Sequence, residues 1–293
     1  MSDVKVSDGL VYGKYSQSEL DNQYNQGYLV PDSSVYKARK KAGSERVTAH
    51  FRGLYDISYG DSPDETLDVF PAAQAGGPTM VFLHGGAWKN GTKEGSRWVA
   101  EVFVPRGVNV VVVNFSLAPQ VSLGEQVRQA AAAVTWTYNH ARDYGGDPER
   151  VFVTGHSSGG HLAGVMAVNE WTPPGLVKGV GAFSGMFDLA PVRLSWRNSY
   201  LDLTPEETLR LSAIRHIPSA APGLPLIVGY GTGELDEFQR QSHDFVLAWR
   251  AQGRVCEEQV FPGANHFDVQ EQFSLPEGTL VQSMLKMMGV AKG

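Results

Sequence analysis

Apolar and polar residues follow one another along most of the chain in blocks typical of buried strands separated by helices. From Met80 onward, six apolar runs predict strands at 80–86, 108–115, 150–157, 176–185, 224–231 and 254–263. Most of these are continuous runs of Val, Ile, Leu and Phe, as expected for parallel strands that helices cover on both faces. We therefore expect a mostly parallel central sheet.

The segments between these strands have the periodicity of helices. The pattern predicts helices at 96–106, 123–142, 159–169, 206–216, 237–252 and 277–289. The 123–142 segment is the clearest, because it is rich in alanine and places Val127, Ala131, Val134 and Tyr138 on one side. Strands that alternate with helices predict an α/β fold with a doubly wound sheet.

Two regions interrupt this alternation. Residues 1–75 are polar and irregular, and "ERVTAHFRGLYDISYG" and "TLDVFPA" within them predict a hairpin. Residues 186–223 separate two strands by far more than a usual connection, which is where a cap or lid would lie. We expect a single domain over 1–293 that carries this N-terminal segment and a cap insertion at 186–223.

Composition narrows the class of protein. The 293 residues are 42% hydrophobic and 19% charged, as in an ordinary globular protein with a substantial core. A formal charge of −6 without a Lys/Arg run argues against a nucleic-acid partner. Cys256 is the only cysteine, which excludes an intramolecular disulfide and a cysteine-based metal site. Since no secretory signal or membrane-length apolar run is present, we expect a cytoplasmic protein.

The most informative motif is "VFVTGHSSGGHLAGVMA", at the end of a predicted strand and the start of a predicted helix. It contains G-x-S-x-G, in which a sharp strand-to-helix turn exposes a nucleophilic serine. Ser157 has glycines at both −2 and +2, whereas Ser158 has His156 at −2. The register therefore selects Ser157 as the nucleophile.

A second glycine-rich turn, "HGGAW", follows the earlier strand 80–86. Consecutive glycines let backbone N–H groups turn toward one point, as an oxyanion hole requires. In hydrolases with a nucleophile elbow, the N–H group of the residue after the nucleophile completes the hole. We therefore expect the N–H groups of Gly85, Gly86 and Ser158 to stabilise an oxyanion.

The catalytic base is sought among eight histidines. His266, in "FPGANHFDV", follows the last predicted strand in a Gly/Asn loop, from which a mobile imidazole could reach back over the strand ends. The other histidines flank the nucleophile or lie in strand and helix patterns, with no catalytic neighbour in sequence. The spacing also lacks a zinc motif such as H-E-x-x-H. His266 is the predicted base.

The triad acid has several candidates from the residues alone. The chain order nucleophile, acid, histidine places it between Ser157 and His266, on a loop after a strand. The acidic stretch "GTGELDEF" meets this condition and offers Glu234, Asp236 and Glu237. Asp188, one strand earlier, is the next candidate. A carboxylate is needed because it fixes the histidine tautomer and stabilises the imidazolium.

Together, "HGGAW", "GHSSGGHL" and "GANHF" resemble the α/β-hydrolase superfamily with an HGG oxyanion motif. The chain is more closely similar to the arylformamidase (kynurenine formamidase)-like branch over most of residues 15–290. That likeness rests on "SELDNQYN" near the N-terminus, "SGMFDLAPV" in the predicted cap and "EFQRQSHDF" after the acidic stretch. It implies a central sheet with a small cap.

The resemblance also implies roles for single residues. In the branch pattern the acid lies three residues before the Glu-Phe pair of the helix start, which is Glu234 here. This leaves Asp236 as an expected N-cap and Glu237 as a first-turn helix charge. Trp88, Tyr24 and Phe187 are candidate apolar walls for an aromatic substrate. No metal or organic cofactor is implied, and a homodimer is an open expectation.

The expected activity is that of a serine hydrolase that cleaves a small aryl formamide, amide or ester through an acyl-enzyme. The first alternative is a general carboxylesterase for short acyl chains. The second is a non-catalytic binding module on a hydrolase scaffold, since a fold does not by itself imply a function. Such modules typically lose the serine or the histidine, and this chain has both.

Overall fold

Eight strands form one sheet in the computed structural model, which describes residues 9–219 and 223–290. The spatial order of the strands is β1-β2-β4-β3-β5-β6-β7-β8. They are β1 (Leu54–Ser58), β2 (Thr66–Phe70), β3 (Gly77–Leu83), β4 (Asn109–Val113), β5 (Gly146–His156), β6 (Val177–Phe183), β7 (Leu226–Gly231) and β8 (Cys256–Phe261).

Strands β3 to β8 pair in parallel, whereas β1 pairs antiparallel with β2 and β2 pairs antiparallel with β4. All six strands predicted from the apolar runs are present, and each overlaps its predicted range. The predicted fold class, a mostly parallel sheet with helices on both faces, is confirmed. Because the strands are parallel, their carboxyl ends meet at one edge, where the loops that carry function collect.

Eleven α-helices accompany the sheet in the described residues. They are α1 (Gln17–Asn22), α2 (Ser34–His50), α3 (Ala100–Phe103), α4 (Leu123–His140), α5 (Ser158–Val168), α6 (Ala190–Leu194), α7 (Asn198–Leu201), α8 (Pro205–Arg210), α9 (Asp236–Ala251), α10 (His266–Glu271) and α11 (Thr279–Met287). Two predicted helices are shorter than expected. The 96–106 segment is a 3₁₀–α–3₁₀ succession with a proline in its last turn, and 206–216 ends at Arg210 before a 3₁₀ turn.

The hydrophobic core lies on both faces of the sheet, and β4 shows why its sequence does not alternate. Val111 and Val113 belong to the cluster on one face, whereas Val110 and Val112 belong to the cluster on the other. Each face therefore removes apolar side chains from water, at roughly 25 cal/mol per Å² buried. An uninterrupted valine run is the sequence consequence of this double burial.

The N-terminal region differs from the prediction. The hairpin of β1 and β2 exists, but residues 45–50 of its expected first arm belong to α2. This helix has no clear apolar stripe, because it buries only Gly43, Ser44 and Val47. Its periodicity was therefore invisible to a search for amphipathic helices. Residues 1–8 of the expected N-terminal segment lie outside the described residues.

The insertion between β6 and β7 contains α6, α7 and α8, and residues 220–222 of it lie outside the described part of the chain. Its apolar side chains join those of the N-terminal segment in a third cluster, which includes Leu20, Tyr24, Trp88, Leu189 and Leu201. The insertion and the N-terminal segment are thus packed on each other next to the HGG turn. Within the described ranges, none of the helices combines the length and apolarity that crossing a bilayer requires.

Candidate active site

Ser157 lies at the junction of β5 and α5, in a backbone conformation with φ 60° and ψ −125°. This is a strained turn for a non-glycine residue, and it is the geometry expected of a nucleophile elbow. The turn fits only because Gly159 lacks a side chain. A Cβ at Gly159 would lie 2.0 Å from the backbone oxygen of Leu83, inside any permitted contact.

The elbow is held from the neighbouring strand. The N–H group of Ser157 donates to the carbonyl oxygen of Phe183 over 2.9 Å. Ser158 is the first residue of α5, so its N–H group has no partner within the helix. This free donor at a helix N-terminus favours negative charge next to the Ser157 hydroxyl.

The HGG turn follows β3 and lies against the elbow. A Cβ at Gly85 would lie 2.7 Å from the backbone oxygen of His156, and one at Gly86 would lie 2.0 Å from that of Asn90. Gly86 also has φ 134°, which a residue with a side chain rarely adopts. Both predicted donors are therefore in a turn that only glycine fits, directly beside the serine.

Trp88 connects this turn to the elbow helix. Its indole Nε1–H donates to Nδ1 of His161 over 3.2 Å, and Nε2 of His161 is 2.9 Å from the carbonyl oxygen of Leu211. His161 therefore carries its proton on Nε2, and this N–H group donates a hydrogen bond to the carbonyl oxygen of Leu211 in the insertion. Three separate segments are joined by this chain of hydrogen bonds, and Trp88 itself is buried.

Glu234 and His266 form a buried pair. Oε1 of Glu234 lies 2.5 Å from Nδ1 of His266, and Oε2 accepts from the Gly231 N–H group at 2.9 Å and the Ser184 hydroxyl at 2.8 Å. Three donors thus hold the carboxylate, and the carboxylate fixes the proton of His266 on Nδ1. The imidazole Nε2 is left able to accept a proton.

Burial determines the protonation of this pair. It lowers the pKa of His266, and the cations Arg197 and Lys40 lower it further. Burial also raises the pKa of Glu234, against the stabilising hydrogen bonds from Gly231 and Ser184. The imidazole is therefore neutral at physiological pH, which is the state a general base needs.

The other acidic candidates lie elsewhere. Asp236 is exposed and pairs with Lys14 at 3.1 Å, and Glu237 is buried against Arg240 at 2.7 Å. Asp188 pairs with Arg215 at 3.1 Å. The expected N-cap role of Asp236 is wrong, because α9 begins at Asp236 itself after Leu235; Glu237 does lie in the first turn.

His266 is not on a mobile loop, as the Gly/Asn sequence suggested. It is the first residue of α10, and the side chain of Asn265 caps that helix by accepting from the N–H groups of Phe267 and Asp268. In return, the Asp268 carboxylate accepts a hydrogen bond from the Asn265 N–H group at 3.0 Å. This capping box orients the imidazole before substrate arrives.

Helix α2 holds α10 in place from the other side. The Tyr36 hydroxyl donates to Asp268 over 2.8 Å and accepts from the Asn265 amide at 3.1 Å. The Tyr36 ring stacks on Phe267 with centroids 5.3 Å apart, and Arg39 pairs with Glu271 at 2.8 Å. The unpredicted N-terminal helix therefore supports the helix that carries His266.

One cavity of about 1050 Å³ opens onto Ser157, His266 and the HGG turn. Tyr24 lines it, as predicted for an aromatic wall. Trp88 and Phe187 do not line it, so the prediction that they form its apolar walls is wrong. Trp88 is turned toward His161, and Phe187 is buried in the core, where its ring stacks on Phe245 with centroids 4.3 Å apart.

Several functional neighbours were not found from the sequence. The cavity is also lined by Trp196, which is 41% exposed, and by Phe267 and Arg197. Ser184, directly after β6, donates to Glu234, which follows the neighbouring strand β7. Only Asn265 left a readable signal, since Asn-x-x-Asp before a helix is a capping pattern; the others need the three-dimensional packing.

His156, Glu234 and His266 could also serve as ligands for a metal ion. One ligand atom from each lies within 4.8 Å of the others, and Nε2 of His156 is buried without a hydrogen-bond partner. Two imidazoles and a carboxylate are a donor set that zinc accepts. Nδ1 of His266 is, however, already engaged by Glu234, and a metal there would have to break that pair.

Comparisons with known proteins agree with this geometry. A family model described as BD-FAE matches residues 67–174, which include the HGG turn and the elbow. The kynurenine formamidase of Salmo salar is 30% identical over 94% of this chain and 97% of its own length. The kynurenine formamidase of Danio rerio is 28% identical over the same shares of the two chains.

More distant relatives carry the same fold. A Silicibacter protein described as a thioesterase superposes with a TM-score of 0.78 at 25% identity, over 90% of this chain and 98% of its own. Esterase B of Lactobacillus rhamnosis superposes with a TM-score of 0.69 at 18% identity, over 88% and 96%. The chain is a hydrolase of the α/β-hydrolase fold and belongs to the kynurenine formamidase family.

Proposed function

We propose that Ser157, Glu234 and His266 are the catalytic triad of an arylformamidase that cleaves small aryl formamides, amides or esters. The observation that carries the proposal is the buried pair of His266 Nδ1 and Glu234 Oε1 at 2.5 Å, in which His266 lines the cavity that holds Ser157. The relatives named kynurenine formamidase favour the formamide of an aromatic amine as the substrate.

The reaction begins with attack of the Ser157 hydroxyl on the carbonyl carbon, while Nε2 of His266 takes the hydroxyl proton. Glu234 stabilises the imidazolium that forms. His266 then returns the proton to the leaving amine or alcohol, and the acyl group stays on Ser157. Water, activated by the same imidazole, releases the acid and restores the serine.

The tetrahedral intermediate needs donors for its oxygen. The N–H groups of Gly85, Gly86 and Ser158 are the donors in this proposal, because the HGG turn and the start of α5 meet at Ser157. Each well-placed donor contributes about 3–4 kcal/mol to stabilisation of the transition state. Both glycines are fixed by close contacts with neighbouring backbone, so the donors are oriented before the reaction.

The proton transfer needs a small movement. Among the described residues, no hydrogen bond joins the Ser157 hydroxyl to His266. Catalytic hydrogen bonds commonly tighten when substrate binds. Because α10 is capped and held by α2, the rotation falls to the serine side chain.

The test is a hydrolysis panel of aryl formamides, anilides and aryl esters with the wild type and Ser157→Ala. We expect Ser157→Ala to lose at least about 10⁴-fold in kcat. A fluorophosphonate probe should label the wild type at one equivalent and leave the variant unlabelled, which would also exclude a non-catalytic binding module. Substantial turnover by Ser157→Ala would refute the mechanism.

The second candidate is a general carboxylesterase for short acyl chains. It is favoured by relatives such as the esterase LipQ of Mycobacterium tuberculosis, 28% identical over 73% of this chain and 57% of its own length. An amidase should also cleave the easier ester, whereas an esterase need not cleave the formamide. The ratio of kcat/KM for N-formylkynurenine and a matched short-chain aryl ester separates the two.

We also propose that the enzyme is cytoplasmic and that its partners are small aromatic molecules. We propose further that it forms a homodimer. Two exposed apolar residues near the sheet edge, Val255 and Val260, are 77% and 44% exposed, as a surface for a second copy would require. Sedimentation equilibrium measures the oligomeric state, and a monomer at all concentrations would contradict the dimer.

A further inference from the structure

Arg197 lies in the insertion, immediately before α7, with only 4% of its surface exposed. Its Nε and Nη2 atoms donate to the carbonyl oxygen of Tyr24 at 3.1 and 2.9 Å. The third nitrogen, Nη1, is buried and has no hydrogen-bond partner. A buried guanidinium with one unpartnered nitrogen is unusual, because such groups are normally satisfied.

No carboxylate in the described part of the chain lies within ion-pairing distance of Arg197. Its guanidinium carbon instead lies 5.4 Å from the ring centre of Tyr24 and 5.8 Å from that of Trp88. Burial lowers the pKa of this guanidinium, in accord with an uncompensated charge. The fold therefore keeps a buried cation without a counter-ion, which destabilises the protein unless an anion binds there.

The cavity that Arg197 lines has the opposite charge balance from the protein as a whole. Lys37 and Lys40 of α2 also line it, and neither forms a salt bridge with a described residue. By contrast, Arg97 on the same wall is paired with buried Asp68 at 2.8 Å. Three uncompensated cations thus face one cavity in a chain whose net charge is −6.

We infer that Arg197 is a specificity-determining residue that binds a carboxylate carried by the substrate, and that Lys37 and Lys40 add positive potential to the same wall. The inference rests on the proposed function and names the residue that contacts the charged end of its substrate. One negative charge matches the single uncompensated guanidinium.

Arg197, which would bind the substrate, and the residues that would react with it lie in different parts of the fold. Arg197 belongs to the insertion, whereas Ser157, Glu234 and His266 follow strands of the sheet. A carboxylate held at Arg197 would fix one end of the substrate while its carbonyl reaches Ser157. Binding energy from a part of the substrate that does not react would then orient the part that does.

The experiment compares N-formylkynurenine with its methyl ester, which has the same formamide bond but no carboxylate. Release of the arylamine is followed for the wild type, Arg197→Met, Arg197→Lys and Lys89→Met. Lys89 is the control cation, because it lies over the Tyr200 ring at 4.4 Å and does not line the cavity. Lys89→Met removes one positive charge, as Arg197→Met does.

We expect the wild type to prefer the acid over the methyl ester by about 10- to 100-fold in kcat/KM, as for a hydrogen bond to a charged group. Arg197→Met should abolish that preference, mainly through KM, and Arg197→Lys should keep part of it. Lys89→Met should keep all of it. Because the measured quantity is a ratio within one variant, loss of folded protein does not imitate the effect.

Two results would overturn the inference. One is a wild type that cleaves both substrates equally well. The other is an Arg197→Met variant that loses the same factor with both, which would make Arg197 a structural residue. Either result leaves the triad intact if the fluorophosphonate still labels Ser157. Failure of the wild type to cleave any formamide or ester, without labelling, would instead refute the proposed function.

Discussion

The strand ends and the layer that covers them are built by different means. At the strand ends, the nucleophile elbow and the HGG turn depend on backbone contacts that leave no room for a Cβ, as at Gly159 and Gly86. In the covering layer of α2 and the insertion, position depends on hydrogen bonds that side chains donate, such as Tyr36 to the Asp268 carboxylate and Arg197 to the Tyr24 carbonyl oxygen.

This difference explains which part of the site tolerates change. A turn fixed by backbone contacts allows one geometry, since any added atom collides with a main chain that cannot move aside. A layer fixed by side chains can exchange them one at a time. We therefore expect substitutions at the strand ends to affect kcat and folding, and substitutions in the covering layer to affect KM and substrate choice.

After Ser157→Ala, the largest effect is expected from Glu234→Gln. The Gly231 and Ser184 donors require the amide oxygen on their side, so the amide NH2 group would face Nδ1 and favour the wrong tautomer of His266. The neutral amide also cannot stabilise the imidazolium by charge. We expect kcat to fall by about 10³- to 10⁴-fold, measured with an activated aryl ester. The melting temperature of the variant should be recorded alongside.

Asp236→Asn is the matched control, because it removes one carboxylate two residues away. Asp236 is exposed and contacts only Lys14 among charged groups in the salt bridges described, so kcat should stay within about twofold of the wild type. If the two substitutions had exchanged effects, the acid of the triad would be Asp236.

Gly159→Ala should strongly destabilise the fold at the strand ends. Its Cβ would lie 2.0 Å from the Leu83 carbonyl oxygen, which belongs to the central strand β3. We expect a loss of about 3 kcal/mol or more in the free energy of unfolding by urea.

The matched glycine is Gly253, where φ is 71° and no atom lies within 4 Å of an added Cβ. Gly253→Ala should lower the free energy of unfolding by only about 1–2 kcal/mol, the cost of a left-handed backbone conformation for alanine. Equal losses at the two positions would show that the elbow relaxes around the methyl group.

The strand ends should also make the free energy of unfolding depend on pH, because three buried histidines lie there. Burial lowers the pKa of His84 and of His161 to about 4, and that of His156 well below its ordinary value. All three follow or flank the strand ends. In the unfolded chain they take up protons near pH 6.5, so unfolding is favoured as the pH falls from about 6.5 to about 4.

His266 acts in the same direction, and Glu234, with its raised pKa, acts in the opposite direction, so the pair contributes little net. Three histidines then give a slope of up to about 4 kcal/mol per pH unit in the free energy of unfolding. His161→Gln should reduce that slope by up to about 1.4 kcal/mol per pH unit. A pH-independent stability between 6 and 4.5 would contradict this assignment.

The smallest expected effects are those of substituting Trp196 and Trp88, and they should differ in kind: one in KM, the other in stability. Trp196 is 41% exposed on the cavity wall, so Trp196→Ala should raise KM for aryl substrates by about two- to tenfold. Trp88→Phe should leave KM unchanged and lower stability by about 1–3 kcal/mol, because Nδ1 of His161 would be left buried and unpaired. A raised KM for Trp88→Phe would restore its predicted role in substrate binding.

The sheet could be predicted because its signal is local. Each parallel strand is a short run such as "VNVVVV" that is apolar throughout, and the two glycine motifs follow such runs directly. The order of Ser157 and His266 along the chain is also read directly from the sequence. These parts need no knowledge of distant contacts.

The covering layer could not be predicted because its signal is not local. Helix α2 buries few of its own side chains, and Tyr36 acquires its role only from Asn265 and Asp268, more than 200 residues later. Trp88 and Phe187 failed as substrate contacts for the related reason that an aromatic residue near a motif can face the core. Arg197 was not predicted either, because its contacts with Tyr24 join residues 173 positions apart in the sequence.

The support of α10 by α2 has a consequence for how this enzyme could be re-engineered or could diverge. Lys37 and Lys40 face the cavity from the same helix whose Tyr36 and Arg39 hold the segment that carries His266. A change that rotates or replaces this helix to admit a new substrate would also move the general base. New specificities are therefore more accessible through the insertion, because the described hydrogen bonds and ion pair that hold α10 in place come from α2.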